Sequence, residues 1–195
     1  MILPIVAYGD PVLRKVGVDI SKDYPNLEQL IENMKETMYN ASGVGLAAPQ
    51  IGKAIRLFVI DATPFAGDEE LSQEERDYLL NFKKVFINAK ILTEEGDEWV
   101  FSEGCLSIPK INEDVFRQET VTIEYLDENF EKHTEVVNGL AARVIQHEYD
   151  HIEGILFTDK ISSLKKRLIK KKLENISNGK IQPDYRMRFP NLKRK

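Results

Sequence analysis

The sequence predicts an α+β fold in which mostly antiparallel strands pack around a central helix, with one helix near the N-terminus and a basic helix near the C-terminus. Two observations support this prediction. Segments rich in β-branched and aromatic residues follow one another through the middle of the chain, and apolar residues recur at helical spacing in three other segments. The chain has 195 residues, of which 42% are hydrophobic, enough for one substantial core. We therefore expect a single domain over residues 1–195.

The N-terminal helix is predicted from apolar residues spaced three and four apart, namely Leu27, Leu30, Ile31, Met34 and Met38. Pro25 suits its first turn, and Gly43 marks its expected end. The segment "NGLAARVIQHEYDH" has the same periodicity and forms the predicted central helix, with Asn138 as its N-cap. The last predicted helix, "SSLKKRLIKKKLENI", ends at Asn178 and Gly179.

Five segments between the N-terminal and central helices are predicted strands: "AIRLFVID", "KVFINAKIL", "EWVF", "ETVTIEYLD" and "FEKHTEVV". They are bounded by turn formers, and we expect most of them to pair antiparallel. Residues 62–82 form a long connection between the first two strands. Ser72 and Glu75 make an S-x-x-E capping box there, which predicts a short surface helix within the connection.

The chain shows none of the sequence features of a membrane-inserted or secreted protein. No run approaches the roughly 18 to 20 uninterrupted apolar residues of a membrane helix. The opening "MILPIVAYGDPVLR" lacks the basic region and cleavage site of a signal peptide, so we expect a cytoplasmic protein. The single cysteine, Cys105, excludes an internal disulfide, and its thiol is therefore buried packing, a reactive group or a metal ligand.

The net charge of −5 argues against a general binder of DNA or other nucleic acid. The charge is unevenly distributed, because residues 160–195 carry thirteen Lys or Arg side chains and only two acidic ones, Glu174 and Asp184. The basic helix and tail at about 161–195 would be attracted to a phosphate-rich surface, such as ribosomal RNA near emerging chains. A solvated helix face with a loose tail is the other interpretation of the same residues.

The central helix contains the pattern H-E-x-x-H at His147, Glu148 and His151. Residues four apart lie roughly 40° apart around a helix axis, so the two histidines project from one face and can bind a single ion. A carboxylate beside them can accept a proton from a metal-activated water, which is the role of a general base. The pattern is short, and an ordinary helix that contains two histidines is the alternative.

A third protein ligand is needed if the metal is to keep an open position for water. The extended pattern H-E-x-x-H-x-x-G-x-x-H fails at its last ligand, because Phe157 occupies that position. Thiolate suits Zn and Fe, which makes Cys105 in "EGCLSIP" the candidate, although free cysteines are also common buried residues. Two rival sites stay open: a metallopeptidase with Glu174 as a downstream ligand, and a closed structural site that includes His133.

The glycine-rich segment "GVGLAAPQIG" also needs an interpretation, since Gly43, Gly45 and Ala48 match a dinucleotide-binding fingerprint. The match fails in context, because that fingerprint follows a strand and opens a helix, whereas this segment follows a helix and leads to a strand. Its glycines instead allow the backbone to approach a packed neighbour or a bound peptide. Gln50 is the one polar side chain here, and its amide can donate a hydrogen bond to a developing oxyanion.

Three segments, "GVGLAAPQ", "EGCLS" and "QHEYDH", closely resemble in order and content the signature motifs of the peptide deformylase family. The pattern of strands and helices between them fits the family from about residue 3 to about residue 175. The resemblance implies a metal hydrolase that removes the formyl group from the N-terminal formylmethionine of newly synthesised polypeptides and releases formate. The implied partners are N-formylmethionyl nascent peptides, and the ribosome is a further candidate through the basic C-terminal segment.

The resemblance also implies the metal site. The family's ligands correspond to Cys105, His147 and His151, and its general base and acid corresponds to Glu148. In this mechanism a metal-bound water attacks the formyl carbon while Glu148 moves the proton. The family implies one divalent ion, which is Fe(II) in the cell and can be replaced by Zn or Ni.

The family's oxyanion donors correspond to the Gln50 side chain and the Leu106 backbone N–H, and Gly45 would bind the substrate backbone. We further hypothesise that Val44, Leu140 and Val144 line an apolar pocket for the methionine side chain. Simple packing in the helix core is the alternative for the last two of these residues.

Two features depart from the family's usual bacterial pattern. One is the insertion at residues 62–82, and the other is "KINEDVF" after "CLSIP", where related enzymes often present an arginine to the substrate. The sequence therefore gives no prediction for contacts beyond the methionine.

The partners of the metal-binding histidines are open at this stage. Such histidines usually donate their other ring N–H to a carboxylate or carbonyl, and Glu103 and Asp150 are nearby candidates. Ion pairs with Arg117 or Arg143 would explain both carboxylates equally well. His133 lies in an alternating strand and is expected to be exposed.

Overall fold

The computed structural model describes residues 1–192, so residues 193–195 of the predicted basic tail lie outside the described residues. The helices are α1 (Leu27–Asn40), α2 (Gln73–Leu80), α3 (Gly139–Ile152) and α4 (Ser163–Ser177). The strands are β1 (Ile5–Val6), β2 (Gly45–Ala47), β3 (Leu57–Asp61), β4 (Lys83–Cys105), β5 (Ile108–Leu126), β6 (Lys132–Asn138) and β7 (Met187–Arg188). Short 3-10 helices lie at Pro11–Arg14, Ala48–Ile51, Thr63–Gly67 and Phe157–Asp159. No helix within residues 1–192 is both long and apolar enough to cross a membrane.

Five strands form one sheet in the order β2-β3-β4-β5-β6, and each neighbouring pair runs antiparallel. The predicted antiparallel pairing is therefore confirmed. Residues of β3 alternate between two cores, as expected for a strand covered on both sides. Phe58 and Ile60 pack in the cluster that contains α3 residues, whereas Leu57 and Val59 pack in the cluster that contains α1 residues. At this strand, α1 and α3 thus lie on opposite faces of the sheet.

A third apolar cluster joins the long β4–β5 hairpin to α4. Its members on β5 are Ile108, Ile111 and Val115, and its members on α4 are Ile169, Leu173 and Ile176. The apolar stripe of α4 is therefore part of the core, and its lysines lie on the opposite, exposed face.

β4 is one strand of 23 residues, where the sequence predicted two separate strands. The turn formers Gly96 and Asp97 lie at a bulge, because the pairing with β5 shifts register between Glu95 and Glu98. Gly96 has φ +85°, a conformation that suits glycine in a bulge as well as in a turn. Because Gly and Asp are also typical of turns, the composition at Gly96 and Asp97 predicted a break between two strands. Cys105 is consequently the last residue of β4.

The capping box predicted in the 62–82 insertion is confirmed at the start of α2. The Ser72 N–H donates to Glu75 Oε2 at 2.8 Å, and the Glu75 N–H donates to Ser72 Oγ at 3.3 Å. The predicted capping contact of Asn138 is wrong. Asn138 occupies the N-cap position of α3, but its side chain accepts a hydrogen bond from Thr120 Oγ1 at 2.8 Å and does not cap the helix. The two residues face each other in the β5–β6 register, and this cross-strand contact engages the Asn138 side chain.

The predicted end of α4 is confirmed, with Asn178 as the C-cap and Gly179 at φ +65°. The interpretation of the following residues as a loose tail is wrong for the part that the structure describes. β7 pairs parallel with β1, and the Ile5 N–H donates to Arg186 O at 2.9 Å. Apolar residues of this segment pack against the core clusters, namely Ile181, Tyr185, Met187 and Phe189. The chain therefore returns across the molecule after α4.

Removal of the Phe86 ring should destabilise the fold strongly. Phe86 is 1% exposed, stacks on Phe58 with ring centroids 4.7 Å apart, and contacts Tyr125 with centroids 4.4 Å apart. We expect Phe86→Ala to lower the free energy of unfolding by about 3–5 kcal/mol, measured by urea denaturation. Val136→Ala, at a side chain that is 64% exposed, should change it by less than about 1 kcal/mol. Equal losses in the two variants would contradict the assignment of this core.

Candidate metal centre

The side chains of Cys105, His147 and His151 meet where the end of β4 lies against the C-terminal half of α3. Their possible ligand atoms all lie within 4.8 Å of one another, and Cys105 Sγ is 3.3 Å from His151 Nε2. The helix supplies both imidazoles from one face, because residues four apart project in nearly the same direction. The strand end supplies the thiol. The structure thus brings together the three residues that the motifs predicted as ligands.

Glu103 orients the ring of His147. His147 Nδ1 donates to Glu103 Oε2 at 2.9 Å, which leaves Nε2 as the ring atom available to a metal. Asp150, the other carboxylate considered from the sequence, instead pairs with Arg117 at 2.7 Å and with Lys160 at 3.4 Å. Of the two candidates, Glu103 is therefore the partner of a histidine.

The Glu103 carboxylate also pairs with two buried arginines. Arg117 makes two hydrogen bonds to it, at 2.6 and 2.9 Å, and Arg143 makes one at 3.1 Å. The ion pairs and the histidine contact, treated as alternatives from the sequence, thus occur at the same carboxylate. Burial opposes ionisation of Glu103, but hydrogen bonds from Arg117 and His147 outweigh it and hold its pKa well below the usual range. Glu103 therefore stays ionised and keeps accepting the His147 N–H near neutral pH.

Burial and the thiol together determine the protonation of the two histidines. Burial lowers the pKa of His151 well below its usual value, so its ring is neutral, which is the form that binds a metal ion. Burial acts in the same direction on His147, but hydrogen bonds to Cys105 and Glu103 raise its pKa well above the usual value. A metal ion bound by the His147 ring would take the place of this proton, because imidazole binds a metal in its neutral form.

Glu148 lies beside this cluster in an enclosed position. The residue is 4% exposed, and burial raises its pKa to about 7. Its Oε2 makes no hydrogen bond to the residues that the structure describes, so it is suited to bind a polar group that enters the site. Gly45 makes this position possible, because a Cβ there would lie 2.4 Å from Glu148 Oε1. The glycine expected to approach a peptide is thus also required by the Glu148 side chain.

Gln50 lies next to the thiol, in the 3-10 helix that follows β2. The Ala47 N–H donates to Gln50 Oε1 at 2.8 Å, which fixes the orientation of the amide. The Gln50 Nε2 is then directed at Cys105 Sγ and Ser107 Oγ, each 3.5 Å away. Leu106 follows Cys105 in the turn between β4 and β5. Both groups expected to donate to an oxyanion therefore lie beside the predicted ligands.

A partly open cleft of about 490 Å³ leads to this cluster. Val44, Gly45 and Val144 are among the residues that line it. Leu140 is not among them, and it lines a separate groove beside Tyr78. Leu140 and Val144 share a face of α3, but Leu140 is one turn nearer the start of the helix, roughly 6 Å along the axis. Its place in the methionine pocket therefore stays a prediction.

Several other residues that line the cleft were not predicted from the sequence. Phe65 comes from the 62–82 insertion and meets Phe101 of β4 edge to face, with ring centroids 6.3 Å apart. Asp184 and Tyr185 come from the segment between α4 and β7. No local pattern marks Phe65. The alternating apolar residues of "IQPDYRMRF", in contrast, are typical of a packed extended segment and would have indicated Tyr185.

Among residues 1–192, neither Glu174 nor His133 joins the cysteine–histidine cluster, and His133 lies instead in a second group with Asp127 and Glu131. Glu174 lies in a different groove, beside Lys170 of α4. His133 pairs with Asp127 at 2.8 Å and stacks on Tyr125, with ring centroids 5.2 Å apart. The expectation that His133 is simply exposed is therefore wrong, although the residue also lies outside the cysteine–histidine cluster.

The sequence and the fold of this chain are similar to those of known proteins. The family model described as polypeptide deformylase matches residues 2–167. A peptide deformylase of Christiangramia forsetii is 70% identical over 194 residues, covering 100% of this chain and 99% of that protein, and one of Flavobacterium johnsoniae is 68% identical with the same coverage. A crystal structure of a peptide deformylase from Legionella pneumophila has a TM-score of 0.76 at 37% identity, over 92% of this chain and 98% of that one. The chain therefore belongs to the polypeptide deformylase family, enzymes that remove the N-formyl group from nascent peptides.

Proposed function

We propose that this enzyme holds one divalent metal ion between Cys105, His147 and His151 and uses it to release formate from N-formylmethionyl peptides. The convergence of a thiol and two imidazoles beside the buried carboxylate of Glu148 carries this proposal. Ligand atoms of one tetrahedral ion lie roughly 3.3–3.8 Å apart, given metal–ligand bonds of about 2.0–2.3 Å. The distance of 3.3 Å between Cys105 Sγ and His151 Nε2 fits this range, so the residues present fit a metal ion.

The donor set also bears on which ion is bound. Thiolate and imidazole both suit Fe and Zn, and three protein ligands leave a position open for water or substrate. From the resemblance to the family, we propose Fe(II) as the ion in the cell, with Zn or Ni able to replace it.

Glu148 would serve as both general base and general acid. A divalent ion at the cluster would lower the pKa of a water molecule beside it and polarise the formyl oxygen. Glu148, whose pKa burial raises to about 7, can take a proton from that water as the water oxygen attacks the formyl carbon. It then passes the proton to the leaving amine. The products are formate and a peptide with a free N-terminal methionine.

Gln50 and Leu106 would stabilise the charge that develops on the formyl oxygen. The Gln50 amide is already fixed by the Ala47 N–H, so its Nε2 can donate without reorganising. The Leu106 N–H is placed by the turn that follows Cys105. Loss of one donor held in this way typically lowers turnover by about 10² to 10³.

The methionine side chain would lie against Val44 and Val144. Both line the cleft, and Val144 lies one turn before Glu148 on α3. A methionine side chain bound at Val144 would therefore bring the formylated N-terminus of its peptide close to the cluster. Gly45 belongs to β2, an edge strand of the sheet. Unpaired backbone groups of an edge strand can hydrogen-bond an extended peptide, which supports a role for Gly45 in holding the substrate backbone.

We also propose that α4 docks on the ribosome through its basic face. Residues 170–172 are three consecutive exposed lysines on this helix. Some other basic groups of the C-terminal segment are already paired, with Arg188 3.3 Å from Asp10 and Lys165 3.1 Å from Glu113. Within the run, Lys171 has one acidic neighbour, Glu174 at 3.8 Å. The lysine run is therefore the part best placed to contact RNA phosphates, which favour clustered cationic side chains.

Glu148→Gln should separate metal binding from chemistry. The amide keeps the shape of the side chain but cannot accept a proton, so we expect full metal content and a loss of at least about 10² in kcat for formate release. Cys105→Ala and His147→Ala should instead lose the metal. Metal analysis of anaerobically purified protein and a formate-release assay on formyl-Met-Ala-Ser measure both properties.

His133→Ala is the matched control for these ligand variants, because this histidine lies outside the cluster. It should retain both metal and activity. Metal retained by Cys105→Ala but lost from His133→Ala would refute the assigned site.

Val144→Trp should lower the preference of the enzyme for methionine. A bulky ring would fill the proposed pocket, so kcat/KM for a formyl-Met peptide should fall about tenfold or more relative to the matching formyl-Ala peptide. Val136→Trp adds the same group at an exposed position that does not line the cleft, and it should leave that ratio unchanged. Equal losses of kcat/KM for both peptides in Val144→Trp would rule out the pocket.

Charge reversal at residues 170–172 should weaken ribosome binding without affecting chemistry. Replacement of all three lysines by Glu should reduce co-sedimentation with ribosomes and its salt dependence, while formate release from short peptides stays unchanged. Truncation would be a poor test, because α4 contributes buried residues to the core. A control with the same charge change at three scattered exposed lysines, Lys15, Lys22 and Lys90, should bind normally. Equal co-sedimentation of both triple variants would contradict docking through α4.

A further inference from the structure

Three residues of the C-terminal segment, Pro183, Asp184 and Tyr185, line the cleft that leads to the metal cluster. They lie between α4 and β7, beyond residues 2–167 that the family model matches. A part of the chain outside the region matched by that model therefore borders the site at which a peptide must bind.

This segment, residues 183–185, is attached to the fold through Tyr185 and through β7, which follows it. The Tyr185 hydroxyl donates to the Leu106 carbonyl oxygen at 2.8 Å, which attaches the segment to the turn after Cys105. On its other side, β7 pairs with β1, and Phe189 packs against buried residues of the third core cluster. Residues 183–185 therefore form one fixed side of the cleft, and we call this segment the C-terminal wall.

Asp184 gives the C-terminal wall an accessible negative charge. The cleft also contains Glu103 and Glu148, but each is only 4% exposed, and Glu103 is paired with arginines. Asp184 is exposed and takes part in no ion pair among residues 1–192. The other exposed charge in the lining is Lys110, which belongs to β5.

We propose that the C-terminal wall is part of the peptide-binding site and that Asp184 makes the enzyme prefer formyl-Met peptides with Lys or Arg at one position after the methionine. This inference rests on the proposed function, because it requires that a formylated peptide lies in this cleft. An extended peptide advances about 3.3 Å per residue and turns successive side chains to opposite sides. One carboxylate on one wall therefore distinguishes charge at a single position of the peptide.

The expected preference is moderate, because Asp184 is open to solvent. An exposed ion pair is worth a factor of roughly 1.4 to 5, and repulsion of a like charge adds a similar factor. We therefore expect Lys to be favoured over Glu by about threefold to tenfold in kcat/KM at that position. Salt should reduce the ratio, since the charges are separated by solvent-accessible space.

The test uses three series of C-terminally amidated peptides, formyl-Met-X-Ala-Ser, formyl-Met-Ala-X-Ser and formyl-Met-Ala-Ala-X, with X as Lys, Gln or Glu. The kcat/KM for formate release is measured with metal-loaded full-length enzyme at low salt. In Asp184→Asn the Lys/Glu ratio should fall to about 1, and in Asp184→Lys it should invert, at the same single position. The neutral Gln peptides give the reference kcat/KM of each variant, so a general change in activity is separated from a change in charge preference.

Asp23→Lys is the matched control, since Asp23 is exposed, does not line the cleft and gives the same change in net charge. It should keep the wild-type ratio. An equal shift in Asp23→Lys and Asp184→Lys would overturn the inference, because overall charge would then explain the preference.

A Lys/Glu ratio near 1 at all three peptide positions in the wild type would also overturn the inference. Normal hydrolysis of the Gln peptides in that case would leave the proposed function standing. No hydrolysis of any peptide by the metal-loaded wild type would instead contradict the proposed function itself.

Discussion

The ionised carboxylate of Glu103 is the group on which the geometry of the site depends. A buried carboxylate requires charged or hydrogen-bonding partners, and Glu103 takes Arg117 from β5 and both Arg143 and His147 from α3. These contacts join the central helix to the long hairpin. Glu103 and Cys105 lie two residues apart near the end of one strand, so both side chains project to the same side of it. The contact that orients the histidine ring therefore also brings the thiol to it.

Two carboxylates in this site have different properties because their surroundings differ. Glu103 accepts hydrogen bonds from cationic partners that hold its pKa low, whereas Glu148 is buried with an oxygen that no described residue contacts, and its pKa rises to about 7. The first is suited to fix a ring in place, and the second is suited to gain and lose a proton. Gly45, which is predicted to bind the substrate backbone, also makes room for Glu148, since only a residue without a Cβ leaves space for that side chain beside β2.

Much of the fold and of the candidate site could be predicted from local patterns, because those features depend on neighbours in the sequence. The capping box of α2, the end of α4 and the shared face of His147 and His151 are of this kind. The errors arose where a distant contact decides the outcome. Pairing of Thr120 with Asn138 takes a side chain that would otherwise cap α3, and a bulge at Gly96 continues a strand that composition would end.

In the proposed role of the C-terminal wall, chemistry and selection of peptides depend on different parts of the fold. The predicted ligands lie on β4 and α3, where Glu103 orients His147, whereas the wall is connected to β7, which pairs with β1. The hydrogen bond from Tyr185 to Leu106 is the contact by which the wall reaches the turn after Cys105. Because this bond uses the Leu106 carbonyl, it leaves the N–H of the same residue available to an oxyanion. Substitutions along the wall can therefore alter which peptides bind while the groups around the metal site keep their positions.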